Sequence, residues 1–402
     1  MYVSTLHGVY LFDNQQYILL DGSSTNHLSF ALGLSSNNYS EGLETFIEDW
    51  ISDLSYERLS FLLQQHTGHS VLCAVGLKKY IQRKALFISN LWSSSSVSAL
   101  SVLPAISINS SIDIYNPLEG EVILMMDDVG VKAQKPHKKV ARVKTDAKRI
   151  DTTVVLISVK EQVGKITGVP LGCLDAPLVP IMPIIGTKKT KKEDKTTITD
   201  LYLPLTEGIN EAGEVIYPIE RAIHDTLKEL YLNQTPQAAL PIVAITDGAR
   251  TIRLSLQFVF GMFVCIILDW YHLQLKVKNL MSMIAPNKDL KALYINDLKI
   301  LLWRGKGNEA IDYLLSIPQV KNQEKWEELI GYIEKHKAEI IDYEKRQKAG
   351  KTIGSGRCEK TNDTIVAHRQ KKKGMAWSRP GTKALAIVKT YQLQKNVLKK
   401  AA

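Results

Sequence analysis

One short apolar run ends in an acid: Pro241-Ile242-Val243-Ala244-Ile245-Thr246-Asp247-Gly248. Residues 251–260 then have the spacing of a helix, and residues 264–272 form a second apolar run that carries Asp269 and His272 at its carboxyl end. Strands that alternate with helices and end in acids are typical of an α/β sheet whose site lies at one edge of the strands. These runs therefore predict an α/β fold with Asp247 at the site.

Further strands are predicted upstream of this run. Residues 122–126 are continuously apolar, as in a buried strand, and Asp127 and Asp128 follow directly. Residues 151–159 are rich in β-branched side chains, which predicts a second strand, and a third is expected within 165–185. Because side chains alternate between the two faces of a strand, only one of Asp127 and Asp128 can point into a site.

A third acid lies towards the carboxyl end of the chain, in the stretch Gly354-Ser355-Gly356-Arg357-Cys358-Glu359. The Gly-Ser-Gly turn predicts the start of a helix that ends near Gly374, and this helix places Glu359 among basic residues. Helical spacing continues through 273–349. We therefore expect an all-helical insertion before the helix that carries Glu359.

Asp127, Asp247 and Glu359 are far apart in sequence, but this fold can bring them together. Taken singly, each acid is also consistent with a turn or a cap at the end of a strand. Three carboxylates around one point repel one another unless cations lie between them, and oxygen ligands favour Mg²⁺ or Mn²⁺ over zinc. Two such ions about 3.5–4 Å apart can activate a water or a 3′-hydroxyl and stabilise the leaving oxygen of a phosphodiester.

The charge of the chain indicates a polyanionic partner. It is formally +10 at pH 7 with a pI near 9.1, and basic residues cluster at 132–149, 187–195 and 369–373. Solvated surface lysines are the alternative explanation. Together with the acids, the charge predicts phosphoryl transfer on nucleic acid. The candidate phosphate contacts near the Glu359 helix are Arg357, Lys360, Arg369, Lys371, Lys372 and Lys373.

The N-terminal region, 1–92, contains a candidate helix-turn-helix at about 55–83. Apolar positions at helical spacing follow Ser55, Thr67-Gly68 interrupts them, and a second helix opens at Ser70, with Val75 on its apolar side. The basic residues on the polar side of this presumed recognition helix, about 70–83, are Lys78, Lys79 and Arg83. An ordinary helical hairpin explains the same pattern. Residues 93–118 are Ser-rich in their first part and predict a linker.

Several classes of protein do not fit the sequence. The four cysteines lie far apart and form no CxxC pair, so neither a zinc ribbon nor a disulfide framework is indicated and a reducing cytoplasm is expected. We expect no secretory signal, and the most apolar run, 258–268, is too short to span a bilayer. The chain also has no GxxxxGK[ST] loop and no GxGxxG motif after a strand, which argues against a nucleotide-binding enzyme.

Four blocks resemble those of DDE transposases of bacterial insertion sequences, most of all the ISKra-type group and more distantly the eukaryotic Mutator-like transposases. The resemblance covers about 119–395, and its specificity comes from the order of the blocks. They are Thr246-Asp247-Gly248-Ala249-Arg250, Ile267-Leu268-Asp269-Trp270-Tyr271-His272, Gly354-Ser355-Gly356-Arg357-Cys358-Glu359 and Arg369-x4-Gly374-Met375-x-Trp377-Ser378.

The resemblance implies an RNase H-like fold, a mixed sheet flanked by helices, over 119–272 and 350–402, with 273–349 inserted. In this family the first Asp lies on the first strand, the second just after the fourth, and the Glu on a late helix, which corresponds to Asp127, Asp247 and Glu359. Relatives commonly have Gly where this chain has Asp128. The Asp-x-x-His element of the family maps onto Asp269 and His272, which would support the site or the DNA. A histidine that caps the strand end is the alternative.

The function implied is that of an insertion-sequence transposase, cytoplasmic and associated with the nucleoid. It would bind terminal inverted repeats through its N-terminal region, assemble as a homo-oligomer on paired ends, hydrolyse DNA with two Mg²⁺ or Mn²⁺ ions, and join the 3′-hydroxyls to target DNA. Two alternatives remain. One is an RNase H-like nuclease that cuts without joining; the other is a degenerate, non-catalytic DNA-binding derivative of a transposase.

Overall fold

The structure is a computed structural model of the 402-residue chain. It describes residues 2–12, 16–18, 24–26, 34, 39–95, 113–117, 119–134, 148–160, 201–231, 242–260, 264–372 and 374–401. Some sequence predictions fall outside the described residues: the strand within 165–185, the basic segment 187–195, Lys373, and most of the segments 93–118 and 132–149.

The strands form one larger sheet and three small antiparallel pairs. In chain order they are β1 (Tyr2–Thr5), β2 (Gly8–Leu11), β3 (Gln16–Ile18), β4 (Ser24–Asn26), β5 (Glu121–Lys132), β6 (Arg149–Lys160), β7 (Leu201–Thr206), β8 (Gly208–Ile209), β9 (Val215–Tyr217), β10 (Ile242–Thr246) and β11 (Cys265–Leu268). The pairs are β1 with β2, β3 with β4, and β8 with β9.

The five-stranded sheet has the order β11-β10-β5-β6-β7. β5, β10 and β11 run parallel to one another, whereas β6 is antiparallel to both of its neighbours, β5 and β7. The chain is thus an α/β protein with a mixed sheet, as the sequence predicts. This strand order and these directions are compatible with an RNase H-like fold.

Helices cover the sheet and fill most of the remaining described chain. They are α1 (Glu41–Trp50), α2 (Tyr56–Thr67), α3 (Ala74–Ser95), α4 (Ile219–Tyr231), α5 (Arg250–Phe260), α6 (Trp270–Ile284), α7 (Lys288–Trp303), α8 (Gly307–Ser316), α9 (Gln323–His336), α10 (Tyr343–Lys348), α11 (Gly356–Asn362), α12 (His368–Gln370) and α13 (Arg379–Ala401). A π-helix, Asp363–Ala367, joins α11 to α12. None of the helices in the described part of the chain is both long and apolar enough to cross a bilayer.

Apolar side chains cover both faces of the central strands, which explains why 122–126 contains no polar residue. Ile123 and Ile245 lie in one buried cluster with Leu280 and Tyr343 of the helical block that follows β11. On the opposite face, Leu124 packs in a second cluster with residues of α4 and α5. The block predicted at 273–349 is therefore packed against the sheet, and its first helix begins earlier than predicted, at Trp270.

The two predicted N-terminal helices are present, with different bounds for the second. Ser55 caps α2, since its Oγ accepts from Arg58 N at 3.1 Å, and Gly68 ends the helix in the left-handed conformation with φ 71°. The second helix, α3, begins at Ala74 instead of Ser70 and runs to Ser95, so it takes in the first residues of the predicted linker. Val75, placed on the apolar side by the sequence pattern, is 62% exposed.

The N-terminal helices share a hydrophobic cluster with the rest of the molecule. Leu43 of α1, Leu59 of α2 and Ile81 of α3 are buried in the same cluster as Val129 of β5 and Leu385 of α13. The pattern of apolar residues within 41–95 gives no sign of this long-range packing. These helices are consequently held against the sheet, and Lys78, Lys79 and Arg83 of α3 are exposed.

Candidate active site

The register of three parallel strands brings three aspartates to the same edge of the sheet. Ile245 of β10 lies opposite Met125 of β5, and two residues further on these strands lead to Asp247 and Asp127. On the other side of β10, Thr246 lies opposite Leu268, so Asp247 and Asp269 follow at equivalent positions. Asp127, Asp247 and Asp269 therefore lie side by side at the carboxyl ends of the paired segments.

The sequence pattern predicts that Asp127 directly follows its strand. In the structure it lies in the middle of β5. β5 pairs with β6 up to Lys132, whereas its pairing with β10 stops at Met125, so Asp127 lies just beyond the end of β10. Asp127 Oδ1 accepts from Asp128 N at 2.8 Å, and its Oδ2 accepts from Asn362 Nδ2 at 2.7 Å. The carboxylate thus faces helix α11.

Asp128 points to the other side of β5. Its Oδ1 accepts from the hydroxyl of Thr153, the residue directly opposite on β6, at 2.6 Å. The alternation of side chains along the strand separates the two acids in this way. The geometry favours Asp127 as the acid of the cluster and leaves Asp128 as a cross-strand partner of Thr153.

Asp247 is held in a tight turn between β10 and α5. Its Oδ1 accepts from Ala249 N at 2.8 Å. Gly248 has φ +85°, and a Cβ at this position would lie 2.8 Å from Cε1 of His336, at the end of α9. His336 is buried and contacts Glu339 Oε2 through Nδ1 at 2.7 Å. The helical block therefore packs directly against the turn that positions Asp247.

Asp269 joins the start of α6 to the turn before α11. The sequence pattern extends the strand to His272, but β11 ends at Leu268 and Asp269 is the N-cap of α6. Its Oδ1 accepts from the amides of Tyr271 at 2.6 Å and His272 at 2.9 Å. Its Oδ2 accepts from both the amide and the hydroxyl of Ser355.

These contacts fix the helix that carries Glu359. Ser355, clamped by Asp269, accepts through its carbonyl from Cys358 N at 2.7 Å and Glu359 N at 3.1 Å, and so begins α11. A Cβ on Gly354 would lie 2.5 Å from the ring of Tyr271, which explains the glycine at this close approach. The Gly-Ser-Gly turn is thus packed against the Asp-x-x-His element.

His272 lies between Asp269 and Glu359. Its Nδ1 is 3.5 Å from Asp269 Oδ1, and its Nε2 is 3.7 Å from Glu359 Oε1. The Asp269 carboxylate raises the pKa of His272, against the opposing effect of burial, and the charges of Glu359 and Asp247 contribute in the same direction. The side chain of Glu359 is 55% exposed, so His272 links an open carboxylate to the buried edge of the sheet.

The carboxylates differ in their protonation behaviour. Burial raises the pKa of Asp127; the Asp128 amide opposes this, the charge of Asp247 adds to it, and His272 opposes it. Burial would also raise the pKa of Asp269, but contacts from His272 and Ser355 outweigh it and lower the pKa to about 2. The surroundings of Asp269 therefore stabilise its ionised form, whereas those of Asp127 favour the protonated form.

The donors at this edge fit a hard divalent cation in their chemistry. Asp127, Asp247 and Glu359 offer carboxylate oxygens, which are the ligands that such cations prefer. Asp269 is less suited, since each of its oxygens already accepts two hydrogen bonds, whereas each oxygen of Asp127 accepts one. Within the described ranges, no group of three or more His, Cys, Asp or Glu side chains is arranged to hold a metal ion.

The predicted phosphate contacts do not form one uniform surface. Arg357 is exposed and lies over the ring of Tyr202, at 4.4 Å from its centroid. Lys372 donates to the carbonyl of Asp53 at 3.2 Å. The other predicted contacts that are exposed are Lys360 and Lys371 near α11, and Lys78, Lys79 and Arg83 on α3.

The structure contradicts the prediction that Arg369 contacts phosphate. It is 4% exposed, with its guanidinium 5.0 Å from the ring centroid of Trp377 and 5.9 Å from that of Tyr56. Burial lowers the pKa of Arg369. A guanidinium enclosed by two rings packs α12 against the N-terminal helices and is not available to a phosphate.

Sequence reasoning missed three residues beside the acids: Ser355, Asn362 and His336. Ser355 was visible only as part of a turn. Asn362 follows Glu359 by three residues, which places both on the same face of a helix and is the signal that could have found it. His336 lies 89 residues from Asp247 in a helical block, and no local pattern connects the two.

No protein-family model matches the chain, and no curated protein matches its sequence. Among solved structures, the chain is similar to the Drosophila P element transposase strand transfer complex, with 9% sequence identity and a TM-score of 0.25. The similarity covers 91% of this chain and 81% of that chain. A likeness of this strength identifies neither the fold nor the activity of this protein.

Proposed function

We propose that this protein is a DDE transposase with an RNase H-like catalytic domain, which cuts and joins DNA by phosphoryl transfer. The observation that carries the proposal is the strand register that aligns Asp127 with Asp247 at one edge of the sheet. Support also comes from the hydrogen bonds between Asp269 and Ser355, called the Asp269–Ser355 clasp below, which fix the Glu359 helix beside that edge. Ligands of open α/β sheets bind at the carboxyl ends of parallel strands, which is where these acids follow β10 and β11.

Asp127, Asp247 and Glu359 would hold two Mg²⁺ or Mn²⁺ ions. When bound, such ions activate a water or a 3′-hydroxyl and stabilise the leaving oxygen of a phosphodiester. The chain itself would orient the acids: Asn362 holds Asp127, the Ala249 amide holds Asp247, and His272 lies against Glu359. No side-chain nucleophile is needed, because the attacking oxygen belongs to water or DNA.

DNA is the proposed substrate because the charge of +10 and the exposed cations suit a polyanion. Arg357 and Lys360 are on the same helix as Glu359, so they would hold a phosphate backbone close to the acids. The exposed Lys78, Lys79 and Arg83 on α3 would contact the ends of the element. Assembly as an oligomer on two paired ends is part of the same proposal.

The test uses DNA that carries the sequences flanking the coding region, in Mg²⁺ or Mn²⁺. We expect the wild-type protein to cleave these ends and to join them to a second DNA, and Glu359→Gln to bind the same DNA while losing both reactions. The neutral amide keeps the shape of the side chain but removes its charge. The matched control is Glu324→Gln, an exposed acid at the start of α9, which should retain wild-type rates.

The products separate the proposal from its alternatives. Cleaved ends without joined strands would identify a nuclease, and binding without either reaction would identify a non-catalytic derivative. Cleavage that persists in Glu359→Gln would overturn the assignment of the third acid.

A further inference from the structure

The amide of Asn362 is buried beside the carboxylate cluster, and only its nitrogen has a partner. The residue is 4% exposed, and Nδ2 donates to Asp127 Oδ2 at 2.7 Å. Within the described part of the chain, Oδ1 of Asn362 is buried and makes no hydrogen bond. A buried oxygen without a donor costs about 1–3 kcal/mol. A group that protein interiors normally satisfy is therefore left open next to Asp127.

The orientation of this amide follows from its neighbour. Turning the amide over would place Oδ1 against the carboxylate of Asp127, oxygen against oxygen, so the nitrogen must face Asp127 as long as that group is an anion. Oδ1 is then directed away from Asp127. Hydrogen bonding to the charged form of a carboxylate stabilises it in one orientation.

The helix that carries Asn362 is held rigidly at this point. The Cys358 thiol contacts the Met125 carbonyl, two residues before Asp127 on β5, at 3.6 Å. Asn362 and Glu359 are three residues apart and share one face of α11. The contact to Asp127 therefore connects the first acid of the cluster to the helix of the third.

A π-helix begins directly after Asn362. In this segment, Asp363–Ala367, the amide of His368 bonds to the carbonyl of Asp363, five residues earlier. The wider turn lets Asn362 face Asp127 while Ile365 and Val366 are buried in the cluster shared with the N-terminal helices. π-turns inside helices occur frequently at functional sites.

We propose that Asn362 is a positioning residue of the catalytic site: its Nδ2 presets Asp127 for a divalent cation, and its Oδ1 gains a donor only when the site is loaded. This inference rests on the proposed function and deepens it. Substitution of groups that orient metal ligands typically lowers metal affinity by about 10–100-fold. The expected consequence is a loss of ion affinity without a loss of DNA binding.

The test compares thermal unfolding of the full chain at increasing Mg²⁺ or Mn²⁺, without DNA. Asn362→Leu removes the amide at nearly constant volume, and we expect the ion concentration needed for half of the stabilisation to rise about tenfold or more. Asn362→Asp places a second carboxylate against Asp127, so it should destabilise the ion-free protein and enlarge the stabilisation by the ion. Binding of flanking DNA should remain at the wild-type level in both variants.

The matched control is Gln370→Met. Gln370 is also a buried amide with one donated bond, from Nε2 to the Thr382 carbonyl at 3.1 Å, and a buried oxygen without a hydrogen bond. It contacts α13, however, and not an acid. We expect this variant to lower the unfolding temperature and leave the dependence on the ion unchanged.

The outcomes distinguish the inference from the function on which it rests. If the ion stabilises the wild type but acts equally on Asn362→Leu, Asn362 has only a packing function and the inference is wrong. The same conclusion follows if Gln370→Met loses ion affinity to the same extent. If the ion does not stabilise the wild type at all, both the inference and the proposed two-metal site are overturned.

Discussion

Strand β5 carries one acid at its start and another in its middle, and the two acids have differently charged neighbours. At the start of the strand, Glu121 accepts two hydrogen bonds from the guanidinium of Arg346, at 2.6 and 3.1 Å, and lies 3.3 Å from Lys351 Nζ. Six residues further along the same strand, Asp127 is held by an amide side chain and a backbone N–H, with Asp247 as its neighbour.

This difference separates a structural acid from one that is suited to bind a ligand. Glu121 has its countercharges inside the protein, so it connects β5 to the last helix of the helical block through Arg346 and to the following segment through Lys351. The hydrogen-bond donors to Asp127 are neutral, and its pKa is raised first by burial and further by the charge of Asp247. A part-buried carboxylate whose hydrogen-bond donors are neutral is a candidate for a cation from outside.

The largest expected effect comes from removing the countercharge of Glu121. Arg346→Ala leaves the carboxylate buried with Lys351 alone, and breaking a buried pair in this way costs about 3–5 kcal/mol of unfolding free energy. The control is Arg304→Ala, because Arg304 is an exposed partner of Glu344 at 3.6 Å and should contribute less than about 1 kcal/mol. Denaturant titration measures both variants, and equal losses would show that Glu121 is not a structural acid that depends on its buried countercharge.

A smaller effect is expected at Asp269, an acid satisfied mainly by hydrogen bonds. Its folded pKa of about 2 lies below the ordinary value of 3.8, so its ionised form stabilises the fold above about pH 4 and this contribution falls as the pH drops towards 2. The lowered pKa corresponds to about 2 kcal/mol. Asp269→Asn should lose this amount at about pH 5 and roughly half of it at about pH 3.

The measurement is denaturant unfolding of both proteins between about pH 3 and 5.5. In the wild type the pKa of His272 is raised above its ordinary 6.5, chiefly by Asp269, so this histidine is protonated over the whole range. A stability difference that does not change with pH would show that Asp269 acts by packing alone.

The smallest effect has the opposite sign. Asp127→Asn removes a charge that faces Asp247, and relief of a like-charge pair on neighbouring strands is worth about 0.2–1 kcal/mol. We expect the ion-free variant to be slightly more stable than the wild type at pH 7. Because the folded pKa of Asp127 is raised, the wild type regains stability as the pH falls through that pKa, and the gain disappears in acid.

Thermal unfolding with and without Mg²⁺ or Mn²⁺ completes this prediction. The ion should stabilise the wild type and not Asp127→Asn. The corresponding change at the start of the strand, Glu121→Gln, should be destabilising at every ion concentration. If the ion stabilises Asp127→Asn as much as the wild type or more, Asp127 does not bind it.

The sequence allows the central strands to be predicted because their residues are apolar on both faces. Residues 122–126 and 242–246 lie within observed strands, and the acids that follow them are at one edge, as expected. The position of Asp127 within β5 was not predictable. It depends on where the pairing with β10 ends, and that is a contact between segments 120 residues apart in sequence.

The wrong predictions share one physical cause. Contacts between distant segments decide whether these residues are buried, and their local sequence does not show those contacts. Arg369 belongs to a basic run in the sequence, but Tyr56 from a helix more than 300 residues earlier encloses it. The start of α3 was displaced from Ser70 to Ala74, and Val75 is exposed, because the helix face is set by contacts with other elements and not by its own pattern. The assignments of the catalytic acids stay predictions.

The two ends of the helical block meet at one place in the structure. Trp270 N donates to the carbonyl of Ile353 at 3.1 Å, next to the Asp269–Ser355 clasp. The chain leaves the sheet and returns to it at the same point, so the 112 residues between Asp247 and Glu359 do not set their distance in space. A search for distant relatives that fixes the interval between the acids would miss proteins with longer or shorter blocks. A pattern that pairs Asp-x-x-His with Gly-Ser-Gly-x-x-Glu, and leaves the gap open, follows the geometry of the molecule.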